Sequence, residues 1–470
     1  MPRPIGSMTE LPLGRNLSRA GVVLAASALL SVSLLLICRT FEPYAVLFGA
    51  LFFFAASVTV LTGDIVGKLV YSIFLVQITV AILLPLSLYA TLVGIIFFIP
   101  VFLLGDNSEK IDTIPLRKSM MLLLAGWLVS LVYVTVFSYS HRGFMLLFDA
   151  YLLLGFGVAY AIFVLLKLKI LNAERLLFYV TLSGLVFAGS TLALYFYKGY
   201  AGEIFRDRFG MLVNINSNFL GLYVIMMFSC SFFTALFEKR SIVKKIFMYA
   251  VSVVYVAIIF MTASRGPLLG LVLIAAYVLW YKRSVKLLAV SLPCFAIAFF
   301  TVGSKVITRM LTPTTSDLLS DYGRVLLLEA AFKILRDNYY VLGIGMNNYA
   351  WMKFDYGFPI WFDSARSQGF SSHNLFIEIW LGWGILGLIG WLALNTGIIY
   401  KLLRSKSEKY SGMAKAIAFA VISYLFYGLV DSNIGNYSMS FTYFTLVGIA
   451  FFIIAQKPDP ALIKQPKGEM

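Results

Sequence analysis

Apolar residues fill this 470-residue chain in long blocks, and a charge or a polar cluster marks nearly every boundary between them. A helix needs roughly 20 apolar residues, within a range of about 17–25, to cross the hydrocarbon core of a bilayer. The stretch 67–104 holds two apolar blocks, and Pro85 and Ser87 mark a turn between them. One kinked element followed by a re-entrant one is the alternative to two spans there. Fourteen blocks predict spanning helices: 21–38, 43–61, 67–86, 88–104, 119–138, 144–166, 176–197, 212–237, 246–263, 266–281, 286–303, 373–400, 413–431 and 438–455.

The composition agrees with a membrane protein. Hydrophobic residues make up 60% of the chain, charged residues 13%, and the mean hydropathy is +0.89. These values exclude an ordinary water-soluble domain, so we predict an all-α, polytopic transmembrane helix bundle. The first apolar block is one of many, which favours a span over a cleavable signal peptide. Two histidines and three cysteines (Cys38, Cys230 and Cys294) argue against a zinc-rich, haem-binding or disulfide-rich protein.

Lysine and arginine positions predict the orientation of the bundle. The net charge of +16 is typical of cationic loops on the cytoplasmic side of a membrane, and we expect the lipid bilayer rather than nucleic acid as the partner. With the N-terminus inside, 25 of the 38 lysines and arginines fall in inner segments. Both termini are therefore predicted to be cytoplasmic.

The spans divide the chain into three parts. Residues 1–303 hold the first eleven spans, 304–372 form one long outer loop, and 373–470 hold the last three spans and a cytoplasmic tail. Within the loop, 318–336 has apolar positions at helical spacing and predicts an amphipathic helix on or near the membrane. The following aromatic residues either stack on sugars or collect at the membrane interface, and the Gly-Ile-Gly at 343–345 indicates a turn.

Three outer arginines, Arg208, Arg265 and Arg324, are candidates for binding an anion. Arg265 lies in a short outer connection, where the distribution of charges in membrane proteins disfavours a cation. Ser264 can cap the following helix and Pro267 suits its first turn, so Arg265 is expected at a positive helix end. Either an anionic ligand or a protein carboxylate would balance it; the acidic candidates are Asp149, Glu203, Asp207 and Glu378.

His373 is a candidate general base. Ser371 or Ser372 can cap the twelfth span, which places the imidazole in the first helical turn, where the helix dipole favours its neutral form. A neutral imidazole can accept a proton from a hydroxyl, although a capping or hydrogen-bonding histidine is the alternative. Glu378 lies within the apolar run, and an acid there is a functional candidate that orients a partner or balances an arginine.

In order and spacing, these motifs resemble the O-antigen ligase and O-antigen polymerase superfamily of bacterial membrane glycosyltransferases. The shared elements lie between about residues 200 and 400. They are Arg208 with Asn214 and Asn218, Ser264-Arg265-Gly266, Gly323-Arg324 with Gly343 and Gly345, and His373-Asn374.

The resemblance implies a GT-C-like, metal-independent and cofactor-free transferase in the bacterial inner membrane, with its site facing the periplasm or outside. Its donor would be an undecaprenyl-diphosphate-linked glycan. Arg208, Arg265 and Arg324 would bind the diphosphate, His373 would deprotonate the acceptor hydroxyl, and Asn218, Asn374 and Glu378 would support them. A polymerase would use a lipid-linked glycan as acceptor, with a chain-length regulator as a further candidate partner. A ligase would use lipid A–core.

The number of predicted spans favours a polymerase, because ligases of this superfamily usually have fewer. A transporter for a lipid-linked anion is the alternative from another class. Transporters usually place charged residues near the midplane on broken helices and show paired repeats. Here the arginines and acids gather at the outer side, which favours surface chemistry.

Overall fold

A computed structural model describes residues 114–137, 142–200, 217–237, 241–282, 315–346, 348–360, 372–405, 407, 409–432 and 437–456. These residues contain helices and turns, with no β-strand among them. The predicted spans at 21–104 and 286–303 lie outside the described residues, and so do both termini. The count of fourteen spans and the cytoplasmic termini therefore stay predictions.

Nine of the predicted spans coincide with helices of the structure. The helices are α1 (Arg117–Phe137), α2 (Arg142–Lys167), α3 (Ala173–Tyr197), α4 (Ser217–Phe237), α5 (Ile242–Thr262), α6 (Arg265–Lys282), α7 (Thr315–Ile334), α8 (Tyr349–Met352), α9 (Leu375–Leu403), α10 (Ser411–Gly428) and α11 (Tyr437–Ile454). Within the described part, α3, α4, α5, α9 and α10 are long and apolar enough to cross a membrane. The all-α, multi-pass fold class is thus confirmed.

Helix α4 is the centre of the bundle, and it packs against α3, α5, α6 and α10. It is apolar on all sides, as expected for a helix surrounded by other helices. Its few hydroxyl groups pair across the helix interfaces: Ser183 with Tyr223 at 2.5 Å, and Ser231 with Ser252 at 2.8 Å. Such interhelical hydrogen bonds stabilise bundles in which lipid removes the usual hydrophobic driving force.

Small residues bring α1 and α9 into backbone contact. A Cβ atom on Gly126 would lie 2.4 Å from the backbone nitrogen of Gly387, so only glycine allows this approach. Nearby, the hydroxyl of Ser130 donates to the carbonyl of Gly382. Close packing at small residues is a general feature of membrane helix pairs. It places α1 against the middle of α9.

Helix α9 is broken at Gly384, which the apolar pattern does not predict. Gly384 has φ 66° and ψ −171°, a conformation that is essentially restricted to glycine. The break separates a half-helix at 375–383 from the longer part at 385–403. Non-helical backbone at membrane depth is tolerated where protein buries it, because its polar groups then find partners.

The described residues between 315 and 360, which we call the outer segment because they belong to the predicted outer loop, supply those partners. The turn predicted at 343–345 is confirmed, since both glycines have positive φ, 73° and 84°. Its Ile344 N–H donates to the Leu381 carbonyl at 2.6 Å, and the Ile385 N–H donates to the Tyr340 carbonyl at 3.1 Å. The outer segment is therefore hydrogen-bonded to both sides of the break.

The helix predicted at 318–336 is confirmed as α7, which continues into a π-helical turn at Leu335–Tyr339. The apolar residues Leu327 and Ile334 pack with Phe358 and with Leu381 of α9. The outer segment thus has a small apolar core that extends onto the half-helix at 375–383. Whether α7 lies on the membrane surface stays a prediction.

Gly384→Ala should lower the thermal stability of the purified protein. Backbone strain in this region costs about 1–3 kcal/mol, and the new Cβ would lie 2.0 Å from the Val341 carbonyl oxygen. The melting temperature in detergent measures the effect. Gly189→Ala is the matched control, because a Cβ there meets nothing within 4 Å. Equal melting temperatures for both variants would contradict the importance of the break.

Candidate functional site where three helix ends meet

The N-terminal ends of α6 and α9 meet the C-terminal end of α10 at one end of the bundle. Gly266 lies so close to the Tyr427 ring that an added Cβ would come within 2.6 Å of it. The Asn374 side-chain amide donates to the Leu429 carbonyl at 3.0 Å. The predicted alternation of spans likewise puts these three ends on one side of the membrane. The segments around Arg265 and His373 are thus brought together.

The Ser-Arg-Gly motif forms a tight connection between α5 and α6. Ala263, in the left-handed region at φ 48°, ends α5, and only Ser264 separates it from Arg265, the first residue of α6. The Ser264 hydroxyl donates to the Asn218 side chain at the start of α4, at 3.0 Å. The Arg265 side chain is exposed, and Pro267 lies in the first turn as predicted.

The predicted cap of the twelfth span is wrong. Asn374 caps α9, since its side-chain oxygen accepts the N–H groups of the second and third helical residues at 3.0 and 3.1 Å. Ser371 lies outside the described residues, and Ser372 precedes the cap. His373 is therefore not in the first turn. It directly precedes the cap, in the left-handed conformation at φ 53°.

His373 pairs with Asp431, a residue that follows the end of α10. The distance from His373 Nδ1 to Asp431 Oδ1 is 2.8 Å, and the two side chains are 33% and 6% exposed. Asp431 also accepts the backbone N–H of Ser432 at 2.9 Å and the Tyr427 hydroxyl at 3.3 Å. A carboxylate held by several donors is a rigid partner for an imidazole.

This geometry suits a general base. When Nδ1–H donates to a carboxylate, the ring orientation is set and Nε2 is left as the proton acceptor. Sequence reasoning missed Asp431, because a single acid at a span end carries no motif of its own. Its place at the outer end of a predicted span, on the same side as His373, is the signal that could have found it.

Glu378 is buried one turn inside α9, and its carboxyl group holds Ser372. Glu378 Oε2 accepts the Ser372 backbone N–H at 2.7 Å and the Ser372 hydroxyl at 2.9 Å. Glu378 thus supports the residue before His373.

Arg324 lies half-buried on α7, within the outer segment. One turn further along, the Leu327 carbonyl accepts the Tyr349 hydroxyl at 2.5 Å. Burial raises the pKa of Tyr349, so this phenol stays a neutral hydrogen-bond donor. The structure thus ties α7 to the apolar core beside α9, and the role of Arg324 toward a ligand stays a prediction.

Several predicted residues lie outside the described part of the chain. They are Arg208, Asn214, His141, Glu203, Asp207, Cys38 and Cys294. Cys230 is a buried residue of α4. Within the described ranges, no group of three His, Cys, Asp or Glu side chains is arranged to hold a metal ion.

Comparison with known families agrees with the motifs. Residues 250–392 match the family described as O-antigen ligase, which confirms the resemblance drawn from the sequence. The matched segment runs from α5 into α9, so it includes Arg265, Arg324 and His373. Asp431 follows it.

A curated relative is known in Bacillus subtilis (strain 168). The chain is 26% identical over 285 residues to its teichuronic acid biosynthesis protein TuaE. The aligned region covers 56% of this chain and 56% of TuaE, so the chain spans about half the length of the relative it matches.

Proposed function

We propose that the chain is a membrane glycosyltransferase that transfers a glycan from undecaprenyl diphosphate to a hydroxyl acceptor on the outer side of the membrane. The observation that carries the proposal is the His373–Asp431 pair, which lies at the same end of the bundle as Arg265. The match to the O-antigen ligase family and the similarity to TuaE, a teichuronic acid biosynthesis protein, support it.

In the proposed reaction His373 is the general base. The acceptor hydroxyl gives its proton to Nε2 while its oxygen attacks the anomeric carbon of the donor sugar. The bond from that carbon to the diphosphate breaks, and undecaprenyl diphosphate leaves with the electron pair. Asp431 stabilises the imidazolium that forms. Attack opposite the leaving group inverts the anomeric centre.

Arginines stabilise the leaving group in this scheme. Negative charge grows on the diphosphate in the transition state, and guanidinium groups bind it through paired hydrogen bonds. Arg265 adds to this the positive end of α6, at which it is the first residue. Arg208 and Arg324 are the further candidates for diphosphate contact.

A polymerase is the favoured form of this activity, because fourteen predicted spans resemble that branch of the superfamily. A ligase is the second candidate, favoured by the description of the family that residues 250–392 match. Purified protein supplied with lipid-linked repeat units from its host membranes separates the two. Lengthened lipid-linked chains establish a polymerase, whereas transfer only after lipid A–core is added establishes a ligase.

Arg265→Lys should lower kcat/KM for the lipid-linked donor by at least about tenfold. A lysine ammonium keeps the charge, but it cannot make the planar two-point contact that a guanidinium makes with a diphosphate. Initial rates at several donor concentrations measure this change. Arg336→Lys, at an exposed position of the outer segment, is the matched control and should retain the wild-type value. Wild-type kcat/KM in Arg265→Lys would limit Arg265 to a structural role.

A further inference from the structure

One oxygen of Glu378 holds Ser372, the residue before His373, at two points. Glu378 Oε2 accepts both the backbone N–H and the hydroxyl of Ser372, and both residues are buried. The Ser372 hydroxyl also lies 3.0 Å from the Asn374 carbonyl oxygen. Backbone and side chain of Ser372 are thus fixed together. We call Ser372 and Glu378 the clamp.

The clamp adjoins a residue with an uncommon backbone conformation. His373 is in the left-handed region at φ 53°, which is uncommon for a residue other than glycine. A strained backbone of this kind persists only when its surroundings over-determine it. Here the clamp fixes the residue on one side of His373, and the Asn374 cap fixes the residue on the other. Between these two fixed residues, the imidazole reaches Asp431.

Lys353 connects the clamp to the outer segment. It is only 1% exposed, and lysine is almost never buried so deeply unless it is paired. Its ammonium lies 5.0 Å from the ring centre of Phe354 and 4.9 Å from that of Phe358. The Phe358 ring beside this ammonium packs in one apolar cluster with Leu381, which lies one turn after Glu378 on α9. The outer segment therefore brings a buried cation to the part of α9 that carries Glu378.

We propose that Glu378 and Lys353 are positioning residues for His373: the Glu378 carboxyl group holds the turn that aims the imidazole, and the positive charge of Lys353 stabilises that carboxylate from the outer segment. This inference rests on the proposed function only for the role of His373 as the base. If Glu378 and Lys353 act in this way, the outer segment must pack on α9 before the His373 imidazole is held beside Asp431.

Two substitutions at Glu378 test the length of its side chain and its negative charge separately. Glu378→Asp keeps the charge but shortens the side chain, so it withdraws the oxygen from Ser372. Glu378→Gln keeps the length but removes the negative charge of the buried acid. Both should lower kcat by about 10- to 100-fold, the size of effect that a small misplacement of a catalytic group produces, with the KM of the donor changed less than about twofold. Glu329→Gln, at an exposed position of α7, is the matched control.

Double substitution tests the link between Lys353 and Glu378. Lys353→Met alone should lower kcat, because in the proposal it removes a positive charge that stabilises a buried carboxylate. Lys353→Met combined with Glu378→Gln leaves both positions neutral, and it should recover part of the kcat lost in Glu378→Gln. Purely additive losses would overturn the role of Lys353. Ser372→Ala removes one of the two bonds of the clamp with little change in volume, so it tests the clamp even if a Glu378 variant does not fold.

A chemical probe reports on His373 without any glycan substrate. The chain has two histidines, so His141→Gln leaves His373 as the single histidine that diethyl pyrocarbonate can acylate, and the absorbance of the acylated imidazole reports on it. In this background, Glu378→Asp and Ser372→Ala should raise the acylation rate of folded protein by about threefold or more, because the imidazole becomes freer to leave Asp431. Unchanged acylation together with unchanged kcat would overturn the inference. If acylation rises but His373→Ala still transfers glycan, the clamp stands and the general-base assignment fails.

Discussion

His373→Ala is expected to abolish detectable glycan transfer while the protein remains folded in the membrane. A general base contributes about 10²–10⁴ to the rate, and no alanine atom can accept the proton from the acceptor hydroxyl. The assay follows elongation or transfer of lipid-linked glycan by purified protein. Binding of undecaprenyl diphosphate, measured as a rise in melting temperature, should persist, because in the proposed reaction the arginines rather than His373 bind this group.

The second histidine supplies the control for this experiment. His141→Ala changes the same residue type at a predicted outer turn, and it should leave transfer at the wild-type level. Robust transfer by His373→Ala would remove the general-base assignment. Loss of undecaprenyl diphosphate binding in His373→Ala would show that His373 acts in binding rather than in proton transfer.

Asp431→Asn should lower kcat by roughly 10²- to 10⁴-fold, a range that includes the effect of replacing the orienting carboxylate of a catalytic imidazole in serine proteases. An amide can present its own N–H to Nδ1, which stabilises the wrong tautomer and leaves the imidazolium without a negative partner. The 2.8 Å contact between His373 and Asp431 is the basis for this size of effect. Steady-state rates at saturating donor measure it.

Tyr427→Phe is a milder change at the same site as Asp431→Asn. It removes the hydroxyl that donates to Asp431 at 3.3 Å, yet it keeps the ring that packs on Gly266. The loss of kcat should therefore be small compared with that of Asp431→Asn. If Asp431→Asn keeps the wild-type kcat, Asp431 is a structural residue and the imidazole is oriented by the clamp alone.

The sequence predicts the helices well because length and apolarity are properties of single segments. All nine predicted spans within the described residues coincide with helices, and the turn at 343–345 and the helix at 318–336 are also confirmed. The sequence predicts the cap of α9 at Ser371 or Ser372 rather than at Asn374, because serine and asparagine are both good capping residues. Only the geometry shows that the Ser372 hydroxyl bonds Glu378 while Asn374 caps the helix.

The sequence does not predict contacts between segments that are far apart along the chain. Gly384 lies in an apolar run with several other glycines, and nothing in that run marks it as the one with a positive φ. Lys353 lies in an aromatic-rich stretch whose sequence does not predict burial of a lysine, yet the outer segment buries it. Asp431 is 58 residues from His373, and a pairing over that separation depends on how α9 and α10 pack.

The break in α9 affects how a chimera between related proteins should be designed. The outer segment is hydrogen-bonded to Leu381 before the break and to Ile385 after it, while α1 packs on α9 from Gly382 to Gly390. A chimera that replaces the outer segment alone would separate these hydrogen-bonded partners. One that takes the foreign segment through Ile385 would transfer them as a unit, so the junction for such a chimera lies just after the break.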